Sequence, residues 1–86
     1  MLRICDMRQK EVINIRDGCR LGYIYDIELD AEDGKICAII IPGQARMFGV
    51  FGHDQEYKVP WCDIKKIGDD IILVDVETEK IIVNCE

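Results

Sequence analysis

Isoleucine and valine together supply 21 residues of this 86-residue sequence, whereas leucine and alanine together supply 7. β-Branched side chains lose rotamer freedom against the preceding turn of a helix but pack well on a pleated surface, so the bias points to strands and away from a helical bundle. At 9.9 kDa the chain is one small domain over residues 1–86, too short for separate catalytic and regulatory units. Eleven basic against 17 acidic residues leave a net charge of −6, the wrong sign for a protein that binds nucleic acid mainly by neutralising phosphates. There is no Ser, one Thr (Thr78) and one His (His53), which excludes serine nucleophiles and multi-histidine metal sites.

The N-terminal segment from Met1 to Arg8 lacks the uninterrupted apolar core of roughly 7 to 15 residues that marks a secretory signal, so a cytoplasmic location is expected. The longest apolar run, Ile36 to Ile41, is far short of the ~18 to 20 residues that span a bilayer as a helix, and no membrane association is expected. Cys5, Cys19, Cys37, Cys62 and Cys85 are odd in number and widely spaced, matching neither a disulfide framework nor the close pairs of a zinc site. They are expected to be reduced structural thiols, with Cys37 a small buried hydrophobe and Cys85 the most exposed.

Glu11 to Ile15 reads as a first strand, ended by the turn pair Asp17-Gly18. Residues 21 to 30 read as a single strand: Leu21, Tyr23, Tyr25, Ile27 and Leu29 form the apolar face and Gly22, Ile24, Asp26, Glu28 and Asp30 the wet one. Lys35 to Ile41, apolar on both faces and stopped by Pro42-Gly43, pairs with it as a hairpin. Residues 43 to 56 form one long glycine-containing loop, of a length that is usually functional or mobile in so small a domain. Tyr57 to Pro60, Lys65 to Ile67 and Ile71 to Val76 are further strands, with a tight turn through Trp61 to Ile64. A last hairpin through Glu77 to Lys80 places Ile81 to Val83 against the strand 71–76, and residues 77–86 could otherwise be a contact arm. Leu2, Ile4 and Met7 fold back onto the barrel. The expected fold is all-β, a small closed or partly open β-barrel of about six strands, with no linker and no internal repeat.

The succession Ile41-Pro42-Gly43, Phe48-Gly49, Val59-Pro60-Trp61 with Ile64 and Ile67-Gly68, and Asp70 to Val74 resembles the PRC-barrel domain. With Lys10 to Ile15 and Asp17-Gly18 upstream it is similar to the YlmC/YmxH group of small sporulation-associated proteins. The resemblance implies a compact barrel of about six strands. Related barrels in the H subunit of photosynthetic reaction centres and in the ribosome-maturation factor RimM are docking modules and not catalysts. Gln9 departs from the pattern, since a Gly is expected there, and the tail after Val76 runs past the usual end.

The loop residues Arg46, Met47, Phe48, Val50 and Phe51 combine apolar bulk with one guanidinium, a mix enriched at protein interfaces. They either form a partner-binding surface or fold back with Phe48 and Phe51 plugging the barrel. Stacking of unpaired bases on the two Phe rings lacks the positive groove such sites require. The acidic series Asp26, Glu28, Asp30, Glu32 and Asp33 invites a calcium reading, but counting from Asp26 the sixth position is Ala31 where a calcium loop wants Gly, so a solvated strand and turn explains it better. His53 and Asp54, as neighbours on an extended chain, point to opposite faces, and no nucleophile accompanies them. Trp61 at a corner reads as a core anchor.

A non-enzymatic protein-interaction module follows, associated by resemblance with sporulation and needing no cofactor, metal or catalytic residue. Its protein partner is unidentified from sequence, and pairing into a homodimer is left open. The alternative is an RNA- or ribosome-associated module like the barrel of RimM, which requires Lys58, Lys65, Lys66 and Arg46 to converge on one face.

Overall fold

The computed structural model describes residues 2–42 and 54–85. Among them the order is α1 (Ile4–Met7), β1 (Glu11–Asn14), β2 (Arg20–Tyr23), β3 (Asp26–Asp30), β4 (Lys35–Pro42), β5 (Asp54–Pro60), a 3-10 turn (Trp61–Asp63), β6 (Ile64–Ile67), β7 (Ile71–Val74), α2 (Thr78–Ile81) and β8 (Ile82–Cys85). The fold is all-β, as the β-branched composition requires. The eight strands lie in two four-stranded sheets, ordered β2-β1-β7-β6 and β3-β4-β5-β8, and not in one closed six-stranded cylinder. The chain crosses between the sheets at Ile24-Tyr25, through the 3-10 turn and through α2.

The extra strand comes from the segment 21 to 30, which is broken in two. Alternation from the buried Leu21 would bury Tyr23 and Tyr25 too, but both are exposed and Ile24 is the one that turns inward. The expected apolar face is therefore split: β2 belongs to one sheet and β3 to the other. Gly22, at φ 117°, makes the crossing feasible, because a Cβ there would stand 3.3 Å from Ile41 Cγ2. β3 and β4 do pair antiparallel, with Ile27 opposite Ile39. Ala38, Ile39, Ile40 and Ile41 of β4 are all buried, consistent with a strand apolar on both faces.

The C-terminal pairing also differs from the sequence reading. β7 is flanked by β1 in parallel and by β6 antiparallel, so both of its edges are taken. Glu77 to Lys80 do not form a hairpin loop; Thr78–Ile81 is a helical turn that carries the chain to the other sheet, where β8 pairs antiparallel with β5. The core between the sheets is built from Val12, Leu21, Ile39, Ile41, Val59, Ile72 and Val74, with Met7 of α1 and Ile81 of α2 closing it. Leu2 and Ile4, expected to fold back with Met7, are exposed instead.

α1 is held at its start by the Asp6 carboxylate, which accepts the Arg3 backbone N–H at 3.1 Å. The Lys10 ammonium donates to the carbonyls of Gly68 at 2.5 Å and Asp69 at 2.7 Å, fixing the entry into β1 beside the β6–β7 turn. Gln9 needs no glycine, since no described non-Gly residue has positive φ, whereas the Asp17-Gly18 turn uses φ 73° at Gly18.

Asn14 is fully buried in the strand β1, two residues from Val12 on the same inward face. Its Nδ2 donates to the Val76 carbonyl at 2.8 Å and to Thr78 Oγ1 at 3.2 Å, while its Oδ1 accepts the Val76 and Arg16 backbone N–H groups, each at 3.2 Å. Every hydrogen-bonding position of the amide is used, so its burial is offset. Outside this knot Arg16 bonds Asp75 at 2.9 Å and Glu77 at 3.2 Å. The hydrogen bond from Arg16 to Asp75, reinforced by the charges of both carboxylates, raises the guanidinium pKa further above its ordinary value.

Candidate functional site

The loop residues Arg46, Met47, Phe48, Val50 and Phe51, and His53, lie outside the described residues. What the structure does place is the base from which that loop leaves. β4 ends at Pro42, opposite Glu56 of β5, and the Tyr25 hydroxyl donates to the Glu56 carboxylate. Beside it, Lys58 pairs with Glu28 of β3 at 2.9 Å. These contacts tie β3 to β5 across the top of β4.

On the other side of Tyr25 the surface becomes apolar. Leu29 (59%), Tyr23 (53%), Ile4 (50%) and Tyr25 (46%) retain much of their exposure. They surround two adjoining depressions. One of about 300 Å³ is lined by Ile4, Arg8, Ile24, Tyr25, Asp26, Ile27 and Leu29; the other, of about 450 Å³, by Cys5, Arg8, Gln9, Tyr23 and Ile24. Arg8 and Ile24 belong to both, so the two form one continuous groove between α1 and the β2–β3 junction. Backbone geometry creates it. The break at Ile24-Tyr25 leaves two tyrosines facing outward, and at the register shift between Glu28 and Leu29 the unpaired residue is Cys37 of β4, while Leu29 stays paired with Ile36 and exposed. A groove with an apolar floor, two phenol rings and one guanidinium suits a protein segment, since aromatic and Arg side chains carry much of the energy of protein interfaces.

The acidic residues are placed as solvated strand and turn. Asp26 Oδ1 accepts the Ile27 N–H at 2.8 Å, and Asp30 Oδ1 caps the following turn by accepting the Glu32 N–H at 3.0 Å. Among the described residues no group of three or more His, Cys, Asp or Glu side chains is arranged to hold a metal ion. The basic residues are divided: Lys58 is engaged by Glu28 in one sheet, while Lys65 and Lys66 stand on β6 of the other. Trp61 packs half-buried against the core at the sheet-to-sheet turn, as its position after Pro60 suggested. Cys37 corrects the sequence reading. It is exposed, as are Cys5 and Cys62, because β4 is buried on both faces only from Ala38 onward.

The groove was not among the sites read from sequence. Its signal was present in the pair Tyr23 and Tyr25 with Leu29, which were assigned to a buried face because the segment was read as one unbroken strand.

A small two-sheet β domain of this kind, with one helical turn at its entry, belongs to the PRC-barrel domain family, whose profile matches residues 1–81. Within that family the chain is 43% identical over 74 residues to the "Probable sporulation protein YlmC" of Bacillus subtilis, covering 86% of this chain and 91% of that protein. It is 36% identical over 80 residues to the "Uncharacterized protein YmxH" of the same organism, covering 91% and 93% of the two chains. A Clostridium acetobutylicum protein is 42% identical over 69 residues, 80% of this chain and 78% of that one. No helix among the described residues is long and apolar enough to cross a membrane.

Proposed function

We propose that the protein is a non-enzymatic, cytoplasmic protein-interaction module acting in sporulation. The observation that carries this reading is the groove that gathers four exposed apolar side chains, Ile4, Tyr23, Tyr25 and Leu29, over a floor of the buried Ile24. An apolar surface of that kind, with aromatic rings that lose little side-chain entropy on binding, is what a protein partner covers. The name of the YlmC relative supports the link to sporulation. The loop residues Arg46, Met47, Phe48, Val50 and Phe51 have the composition of a second contact region.

The RNA- or ribosome-associated reading has less support, because Lys58 is held in an ion pair and Lys65 and Lys66 lie on the other sheet. Affinity purification from sporulating cells tests the proposal, using wild type, the Ile4→Ala/Tyr23→Ala variant and the Phe48→Ala/Phe51→Ala variant, each checked for folding by circular dichroism. The expected result is a partner retained by wild type and lost with the groove variant. Both variants keeping every partner of the wild type would overturn it, and nuclease-sensitive capture through the lysines would favour RNA.

A further inference from the structure

Two strands at opposite ends of the two sheet orders carry complementary features. β3, the outer strand of its sheet, presents the exposed Leu29 next to the bulge that Cys37 makes in β4, flanked in sequence by Glu28 and Asp30 and followed by Glu32 and Asp33. Asp26, Asp30, Glu32 and Asp33 have no cationic partner among the described residues; only Glu28 does, through Lys58. β6, the outer strand of the other sheet, also contains a register shift, between Ile64 and Lys66, which leaves the consecutive residues Lys65 and Lys66 both exposed. Neither lysine has an anionic partner among the described residues. Beside them lies a shallow depression of about 290 Å³ lined by Trp61, Ile64, Lys65, Lys66 and Ile67. One edge thus offers an exposed apolar side chain beside a run of carboxylates in the strand and the turn after it, and the other an apolar hollow beside two ammonium groups.

From this complementarity we infer that β3 of one copy docks on β6 of a second copy of this chain, Leu29 entering the hollow beside Trp61 and the acidic residues facing Lys65 and Lys66. Bulges and charges keep such edges from extending the sheet, so the contact is made by side chains and not by a continued ladder. Because β3 and β6 are different surfaces, the contact is heterologous: every added copy presents a fresh β3 and a fresh β6, and assembly runs head to tail into rings or open chains. The inference names a second copy as one partner of the interaction module. It shares Leu29 and Asp26 with the groove proposed above and adds β6, which that groove does not use.

Sedimentation velocity of the full chain across a concentration series tests it, under reducing conditions so that cysteines do not cross-link. Wild type is expected to form species larger than a dimer at low salt and to dissociate near ~1 M salt, where charges are screened within ~3 Å. Lys65→Glu/Lys66→Glu makes both edges acidic, and Asp26→Lys/Glu32→Lys/Asp33→Lys turns the β3 edge and the turn after it basic, beside a basic β6. Each variant is expected to weaken association at least about tenfold. An equimolar mixture restores opposite charge at both contacts and is expected to recover association, which also shows that both variants are folded. Wild type monomeric up to about 1 mM, variants that associate like wild type, or a mixture that fails to recover would each overturn it. In any of these cases the partner reading stands or falls separately, on capture through Ile4 and Tyr23.

Discussion

Replacing Asn14 with Ala probes how the C-terminal arm is fixed. The substitution removes both side-chain bonds to Val76, whose backbone N–H and carbonyl sit in a buried residue. Leaving a buried polar group unpaired costs about 1–3 kcal/mol. Two such groups, partly relieved by water entering the space of the lost amide, give a loss of about 3 kcal/mol. A domain of this length holds about 4–13 kcal/mol in total, so the effect is large: with ~4–8 °C per kcal/mol at this size, the midpoint falls by about 12–24 °C. Urea unfolding followed by circular dichroism measures the loss. Hydrogen exchange measures its location, since Val76 leads through α2 into β8 and the amides of Ile82 and Val83 should lose protection before those of β4. A loss under about 1 kcal/mol with β8 protection unchanged would refute the claim that this amide anchors the arm.

Asn14→Asp keeps the acceptor and exchanges the donor for one that exists only when the carboxyl is protonated. Burial and the facing Val76 carbonyl raise its folded pKa above the unfolded ~3.9. The native state then holds the proton more tightly, so stability is greatest below the unfolded value and falls as pH rises through the raised one; a melting temperature that instead climbs from pH ~4 to ~7 would contradict this. Gly22→Ala places a methyl 3.3 Å from Ile41 Cγ2 at a φ of 117° and should cost about 2 kcal/mol in urea unfolding, with an unchanged midpoint speaking against a close crossing of the sheets. Brief alkylation of the native protein, mapped by mass spectrometry, should modify Cys5, Cys37 and Cys62 before the half-buried Cys19; a protected Cys37 would contradict the placement of the start of β4.

Strand positions were legible where a turn residue bounded them. Asp17-Gly18 ended β1 and Pro42 ended β4, and the doubly apolar run 38–41 is buried on both faces. What the local pattern could not show is pairing partners. Nothing in Glu11–Asn14 or Ile71–Val74 announces that they lie parallel, because that register is set by contacts distant in sequence. Once β1 and β6 take both edges of β7, Ile82 and Val83 must go elsewhere. The break at Ile24-Tyr25 was hidden for a related reason. Apolar side chains stand at 21, 23, 24, 25, 27 and 29, so alternation fits an unbroken strand nearly as well as a bent one, and the groove that the bend creates was hidden with it. Asn14 was readable in principle, as a polar residue two positions from Val12 on an inward face.

The central claim, that recognition is carried by the groove between α1 and the β2–β3 junction, is most directly tested by an amide hydrogen-exchange footprint of the full chain. It is measured with and without the protein captured from sporulating cells, purified and free of nucleic acid. The account predicts new protection at residues 4–8 and 23–27 with β7 unchanged. Protection confined to β6, or none anywhere at saturating partner, would contradict it.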